Sequence, residues 1–170
     1  MHIEDVYKIY PNSTNYPLLY RGTRDGFGAS AFHSKCDNKS PTLSICKAHD
    51  SSFIFGGFAS VTLNGSETFK SDPNAFLFSL TNKDSKPLKM KIKPNRHQSA
   101  ILCNSSMGPI FGWSDIAIAN NANTSMESCS YLGCSYKHPQ YAQGTDEAKS
   151  FLAGSFQFLL DEIEVYQKKE

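Results

Sequence analysis

The chain has 170 residues, of which 39% are apolar and 12% aromatic, a content that suits one domain with a real core and excludes a disordered polymer. Its formal charge is +1, with 17 basic against 16 acidic residues, so no net field draws it to nucleic acid or to an anionic membrane. No apolar run approaches the roughly 18 residues that a membrane-spanning helix needs.

In chain order, residues 1–17 carry no clear pattern and read as an N-terminal extension. Leu18–Tyr20 reads as a strand, and Gly22 and Gly26 permit a tight reversal after it. Gly28 to Cys36 puts Ala31, Phe32 and Cys36 on one helical stripe, with Asp25 just before it as a candidate cap. Strand-like runs follow at Thr42–Ala48, Ser52–Phe58, Val61–Leu63, Phe76–Leu80, Leu88–Ile92, Ala100–Cys103, Ile116–Ala119 and Ser130–Ser135. Thr145 is placed to cap a short helix through Asp146, Glu147, Ala148 and Lys149 to Leu152, and Gly154 to end it. Phe156–Tyr166 is the last strand. Many short strands without a long crossover helix predict an all-β dominated fold: an antiparallel β-sandwich of two sheets flanked by short helices.

Two strands say more. In Leu88–Lys93 lysines alternate with apolar residues, as on an edge strand with one wet face. In the last strand Phe156, Phe158 and Leu160 share one parity, and Ile163 and Val165 the other. One face can bury both sets only if a β-bulge intervenes near Asp161-Glu162, leaving Glu162, Glu164 and Tyr166 on the opposite face.

Five cysteines are present, Cys36, Cys46, Cys103, Cys129 and Cys134, an odd count with no C-x-x-C pair. The first twenty residues lack the apolar centre of a secretory signal. Free thiols in a reducing, cytoplasmic setting follow as the simplest expectation. Five N-x-S/T sequons, at Asn12, Asn38, Asn64, Asn104 and Asn123, are accounted for by 11 Asn and 30 Ser or Thr in a turn-rich chain.

Several groupings could carry chemistry. Cys129-x4-Cys134-x3-His138 offers three zinc ligands and lacks a fourth. His33-x-x-Cys36 pairs a thiol with an imidazole but has no orienting third group. Asp115 with Asn120, Asn121 and Asn123 supplies one carboxylate, poor provision for calcium. Lys86, Lys89, Lys91, Lys93, Arg96 and His97 read as a solvated edge. No metal, cofactor or catalytic residue is expected. The strongest local signal is Leu18-Leu19-Tyr20-Arg21-Gly22-Thr23-Arg24-Asp25-Gly26-Phe27, where charges gather as strand turns to helix. It reads either as a salt-bridged corner or as an exposed surface for a partner.

These residues carry a resemblance. LLYRGTRDGFGASAFHSKCDNKSPTL is similar to the opening of a TLDc domain. FIFGGFASV (53–61), SDPNAFLFSLTN (71–82), GPIFG (108–112), DIAIANNAN (115–123), YLGCSYKHP (131–139), FLAGSFQF (151–158) and DEIEVYQ (161–167) continue it in order. The match spans residues 18–167, leaving 168–170 as a tail. Leu63 stands where the family often has Trp, and Trp113 where it often has Gly, so an indole at 113 that fills space lost at 63 is one expectation. The resemblance implies a β-sandwich, a role in protection against oxidative stress, and binding to the vacuolar proton-pumping ATPase with regulation of it. It implies no agreed catalytic mechanism.

The reading is therefore a non-enzymatic protein-interaction domain that neither binds nucleic acid nor enters a membrane. The candidate partner surface is Arg21, Arg24, Asp25, Gly56, Gly57, Glu162 and Glu164, with Glu164 alternatively paired to an arginine of the corner. Gly26 and Phe27 are expected to be structural. Two rivals remain: a thiol-dependent redox enzyme or sensor, and a carbohydrate- or lipid-recognising sandwich with an aromatic platform at Trp113, Tyr131, Tyr136 and Tyr141.

Overall fold

Thr42–Ala48 (β2) forms the strand its sequence predicts, with the same bounds, in a computed structural model that describes residues 16–169. Most of the N-terminal extension, with Asn12, lies outside the described residues. The first sheet contains Leu18–Arg21 (β1), β2, Ile54–Ala59 (β3), Phe76–Thr81 (β5), Leu88–Lys91 (β6) and Leu160–Gln167 (β12), in the order β1-β12-β2-β3-β5-β6. The second has Phe69–Lys70 (β4), Ile101–Leu102 (β7), Ile110–Phe111 (β8), Ile116–Ala117 (β9), Ser128–Cys129 (β10) and Gln157–Phe158 (β11), in the order β11-β10-β9-β8-β7-β4. Every pairing is antiparallel. Short helices lie at Gly22–Asp25 (α1), Ala29–Cys36 (α2) and Asp146–Ser150 (α3), with a 3-10 helix at Pro94–Ser99.

The core between the sheets joins Phe55, Leu77, Met90, Ile163 and Val165 of the first to Ile101, Phe111, Ile116 and Phe158 of the second. Phe55 meets Phe158 edge-on at 5.4 Å. Burying each such side chain contributes about 1.5–3 kcal/mol. The outer face of the first sheet holds a second buried cluster: Tyr16, Leu43, Ile45, Phe58, Phe76, Phe78 and Tyr166. Register aligns Tyr166, Leu43, Phe58, Phe76 and Lys91 in one cross-strand row on that face.

The bulge falls where the parity change requires it. Leu160 faces Ala48, Glu162 faces Lys47, and the register slips between them. Leu160, Ile163 and Val165 consequently all enter the inter-sheet core, whereas Phe158 reaches it from the second sheet, so the run expected as one strand from Phe156 to Tyr166 is two strands, β11 and β12. β6 is the edge strand its lysines announce, with Met90 and Ile92 buried and Lys89 and Lys91 exposed.

Other expectations are corrected. Val61–Leu63 is not a strand. Ser60 donates its N–H and hydroxyl to Asp72, both at 2.6 Å, and the Leu63 carbonyl accepts from Asn38 N, which draws the backbone off the ladder. Ser130–Ser135 is not a strand either, because Gly133 takes φ 104° and the loop folds onto Asp115. Helix α2 is not capped by Asp25. The Asn120 side chain does that, accepting from Ala29 N at 2.8 Å. Thr145 does cap α3, accepting from Ala148 N at 3.2 Å, but α3 ends at Ser150, short of Leu152. Among the described residues no helix is long and apolar enough to cross a membrane.

Candidate partner-binding corner

β1 runs alongside β12 with Arg21 opposite Glu164, so the sheet itself brings together two residues far apart in the chain. Arg21 Nε donates to Glu164 Oε1 at 2.8 Å, and Tyr166 Oη donates to Oε2 at 2.8 Å. Glu164 is only 1% exposed. A carboxylate buried this deeply needs its cation and its hydroxyl, so the pair is structural, as the alternative reading of Glu164 had it. The Tyr166 hydroxyl is correspondingly harder to ionise, through burial first and Glu164 second.

One turn further on, the charges stay at the surface. Arg24 grips Asp25 with two bonds, Nε to Oδ1 at 2.9 Å and Nη2 to Oδ2 at 2.7 Å, and reaches Leu19 O at 3.3 Å. Asp25 Oδ2 also accepts from Arg21 N at 2.9 Å, which ties the carboxylate to the start of α1. The hydrogen bonds from Arg24 hold the Asp25 carboxyl down to about 2. Glu162, thrown outward by the bulge, accepts from Thr23 N at 3.1 Å, from the Thr23 hydroxyl and from Ile163 N at 3.0 Å. Beneath the corner, Gly26 sits at φ 95° and its carbonyl accepts from Tyr20 Oη at 2.7 Å. The Phe27 ring fills the space where Gly22 would otherwise carry a methyl group.

Gly56 and Gly57 do not belong to this surface. They lie mid-strand in β3, buried, and not in a hairpin turn. Their role is to admit the Phe78 and Phe111 rings. The corner that remains is Thr23, Arg24, Asp25 and Glu162, with Arg21 behind it. Thr23 escaped the sequence reading because its partner Glu162 is 139 residues away. Arg24 keeps nearly half of its side chain exposed while held rigidly in place. Such a group can meet a partner's carboxylate at little further entropic cost.

The other sequence groupings are put to structural uses. His33 bonds Asp37 through Nδ1 at 2.7 Å and donates from Nε2 to Asn104 O and Met107 O, while Cys36 is buried and its thiol pushed up to about 12. Burial also raises the Cys46, Cys129 and Cys134 thiols, the opposite of activation. His138 accepts at Nδ1 from Gln140 N and Tyr141 N while its buried Nε2 has no hydrogen-bond partner among the described residues, and Cys134 accepts from Gln143 Nε2 at 3.1 Å. Among the described residues no cluster of three or more His, Cys, Asp or Glu is placed to hold a metal. Asp115 is fully buried and accepts backbone N–H bonds from Gly133, Ser135 and Tyr136 at 2.9–3.1 Å. Of the four aromatic residues expected to form a platform, Trp113 and Tyr131 are exposed and the other two are not free for it. Tyr136 is buried, Tyr141 stacks on His138, Trp113 leans on Phe69, and Tyr131 meets Phe156. Nor does Trp113 fill space beside Leu63, since Leu63 lies in the core and Trp113 is 54% exposed.

Fold and site thus define a class: a two-sheet antiparallel sandwich that displays a braced, charged corner. The TLDc domain profile matches residues 1–169, and the chain belongs to the TLDc domain family, a domain of the oxidation-resistance type. A comparison with curated protein sequences found no match.

Proposed function

We propose that this domain is a non-catalytic interaction module that docks on a protein partner through Thr23, Arg24, Asp25 and Glu162. It serves protection against oxidative stress in the cytoplasm, and its partner is the vacuolar proton-pumping ATPase, which it regulates. The observation that carries the reading is Arg24, exposed yet fixed by Asp25 and the Leu19 carbonyl. Rigid, half-exposed arginines of this kind are enriched where partner surfaces concentrate their binding energy. Family membership supports the link to oxidation resistance.

The test is a pull-down from cell lysate read by mass spectrometry. Wild type is expected to retrieve proton-pump subunits, and Arg24→Glu to lose them while keeping its circular dichroism spectrum. Equal retrieval by both would remove the corner from the proposal. Replacing all five cysteines with Ser or Ala, in a variant that still folds, is expected to leave binding and cellular protection intact.

A further inference from the structure

Asn64 and Gly65 stand in the irregular segment between β3 and β4. The chain is pinned on both sides of them. Leu63 is buried in the core, and its carbonyl accepts from Asn38 N at 3.0 Å. Glu67 Oε1 accepts from Ser105 N at 2.6 Å and from Ser105 Oγ at 2.7 Å. Between these pins Asn64 and Gly65 are half-buried and Ser66 is exposed, so water reaches the turn.

The turn brings a nucleophile, an electrophile and a leaving group together. Asn64 folds its side chain back over the main chain, where Oδ1 accepts from Ser66 N at 3.2 Å. That bond brackets Gly65, and it draws electrons from the amide carbon Cγ. Among the described residues, no hydrogen bond holds the Asn64 NH₂ or the Gly65 N–H. Gly65 has no side chain to shield its nitrogen.

A neighbouring turn has the same shape and lacks the same freedom. Asn104 Oδ1 accepts from Ser106 N at 2.8 Å, and a methyl group on Gly65 would lie 3.1 Å from Ser105 Cβ, so the two turns touch. Ser105 N, however, is tied to the Glu67 carboxylate. The bond locks the peptide plane, and the negative charge opposes the amide anion that attack requires. At Asn82 it is the leaving group that is held, since Nδ2 donates to Ser79 Oγ and Lys86 O, both at 2.8 Å.

We infer that Asn64 is a site of self-modification by deamidation. Asparagine is among the heat-labile residues. Gly65 N bonds to Asn64 Cγ, and the Cγ–Nδ2 bond breaks. The proton that Gly65 N gives up, relayed through water, leaves with Nδ2 as ammonia. The cyclic imide so formed takes up one water at either carbonyl and opens to aspartate or to isoaspartate. One water enters, one ammonia departs, and nothing is oxidised or reduced. Both products add a negative charge, and isoaspartate also lengthens the main chain by a methylene between the Leu63 and Glu67 pins. The segment thereby records the age of the molecule.

The experiment incubates the folded protein at neutral pH, samples it over weeks and separates charge variants by ion exchange. Each fraction is digested and read by mass spectrometry, with fragmentation that distinguishes aspartate from isoaspartate. Asn64 is expected to lose its amide first, while Asn82 and Asn104 keep theirs. Gly65→Ala is expected to slow the loss several-fold, with circular dichroism checking that the added methyl group is accommodated beside Ser105. Glu67→Ala frees Ser105 N at an exposed position and is expected to bring Asn104 into the reaction, an arm that decides the matter should Gly65→Ala misfold. An Asn64 that keeps its amide throughout, an Asn104 that converts as fast in wild type, an unchanged rate in folded Gly65→Ala, or an Asn104 still inert in Glu67→Ala would each overturn the inference.

Discussion

At Gly56 the Phe78 ring occupies the place of a side chain, and at Gly57 the Phe111 ring does. The two glycines are adjacent in one strand, so they face opposite ways. One lets the outer row close over β3, and the other lets the second sheet approach. A methyl group on Gly56 would meet the Phe78 ring at 2.7 Å and overlap the Ser44 carbonyl, and one on Gly57 would meet Phe111 at 2.6 Å. Gly56→Ala and Gly57→Ala are each expected to cost about 1–3 kcal/mol in urea unfolding, the usual penalty of overpacking. Gly28→Ala, whose methyl group finds nothing nearer than 3.7 Å, is expected to stay within about 0.5 kcal/mol. A glycine pair in sequence signals a turn or a close approach with equal force. Only the rings from β5 and β8 decide which, and they come from elsewhere in the chain. His49 gives a residue-scale test of charge. Its imidazole bonds Asp161 at 2.6 Å, and that bond raises its pKa above the usual 6.5. The stability this pair adds is full below the unfolded value and is lost as pH rises through the folded one. Asp161→Asn is expected to bring the His49 titration, followed by proton NMR, back toward 6.5.

Among the elements, the long strands were legible by themselves, and the two-residue β7 and β9 only as parts of the longer runs Ala100–Cys103 and Ile116–Ala119. β2 was readable because seven residues bounded by Pro41 and Asp50 leave room for a strand signal. β4, β8 and β10 have two residues each, and no period exists in two residues. The bulge in β12 was readable because both parities appear in one strand. The loop of residues 130–135 was misread because its shape is imposed by Asp115, a residue outside it. Three backbone N–H groups converge on that carboxylate and hold the turn that presents Trp113. Trp113 N in turn donates to Ser135 Oγ at 3.2 Å. Asp115→Asn places an amide NH₂ against these donors and is expected to cost about 2–3 kcal/mol in urea unfolding at pH 7, the range for leaving buried donors unmet. Burial pushes the Asp115 carboxyl up to about 6 from 3.8. An acid raised on folding holds more protons folded than unfolded between those values, so this group's contribution falls as pH climbs from 3.8 to about 6. Melting curves across that window are expected to slope less in the Asn variant.

For the whole molecule, strand count and alternation were enough to read the class of fold, two antiparallel sheets, but not the strand order. Order depends on which strands far apart in sequence meet, and local pattern says nothing of that. Of the corner, the Arg21–Glu164 pair was legible as one of two readings, since a buried or half-buried acid asks for a cation. The Thr23–Glu162 contact was not, because it needs the bulge and α1 placed first. β1 pairs with β12, joining residues 18–21 to residues 164–166. Loops of that size are entropically costly to close before they reward closure. Refolding by stopped-flow fluorescence of Trp113 is expected in the millisecond-to-second range rather than in microseconds.

β12 lies between β1 and β2, so two strands made early flank one made about 120 residues after β2, a gap that follows from their bounds. During synthesis that slot stays open until residue 167 has left the ribosome. Until then β2 exposes one unpaired flank, and Glu164 has not reached Arg21. The emerging chain is thus a waiting template for stray strands, and a cell making this protein has reason to shield it until the slot is filled.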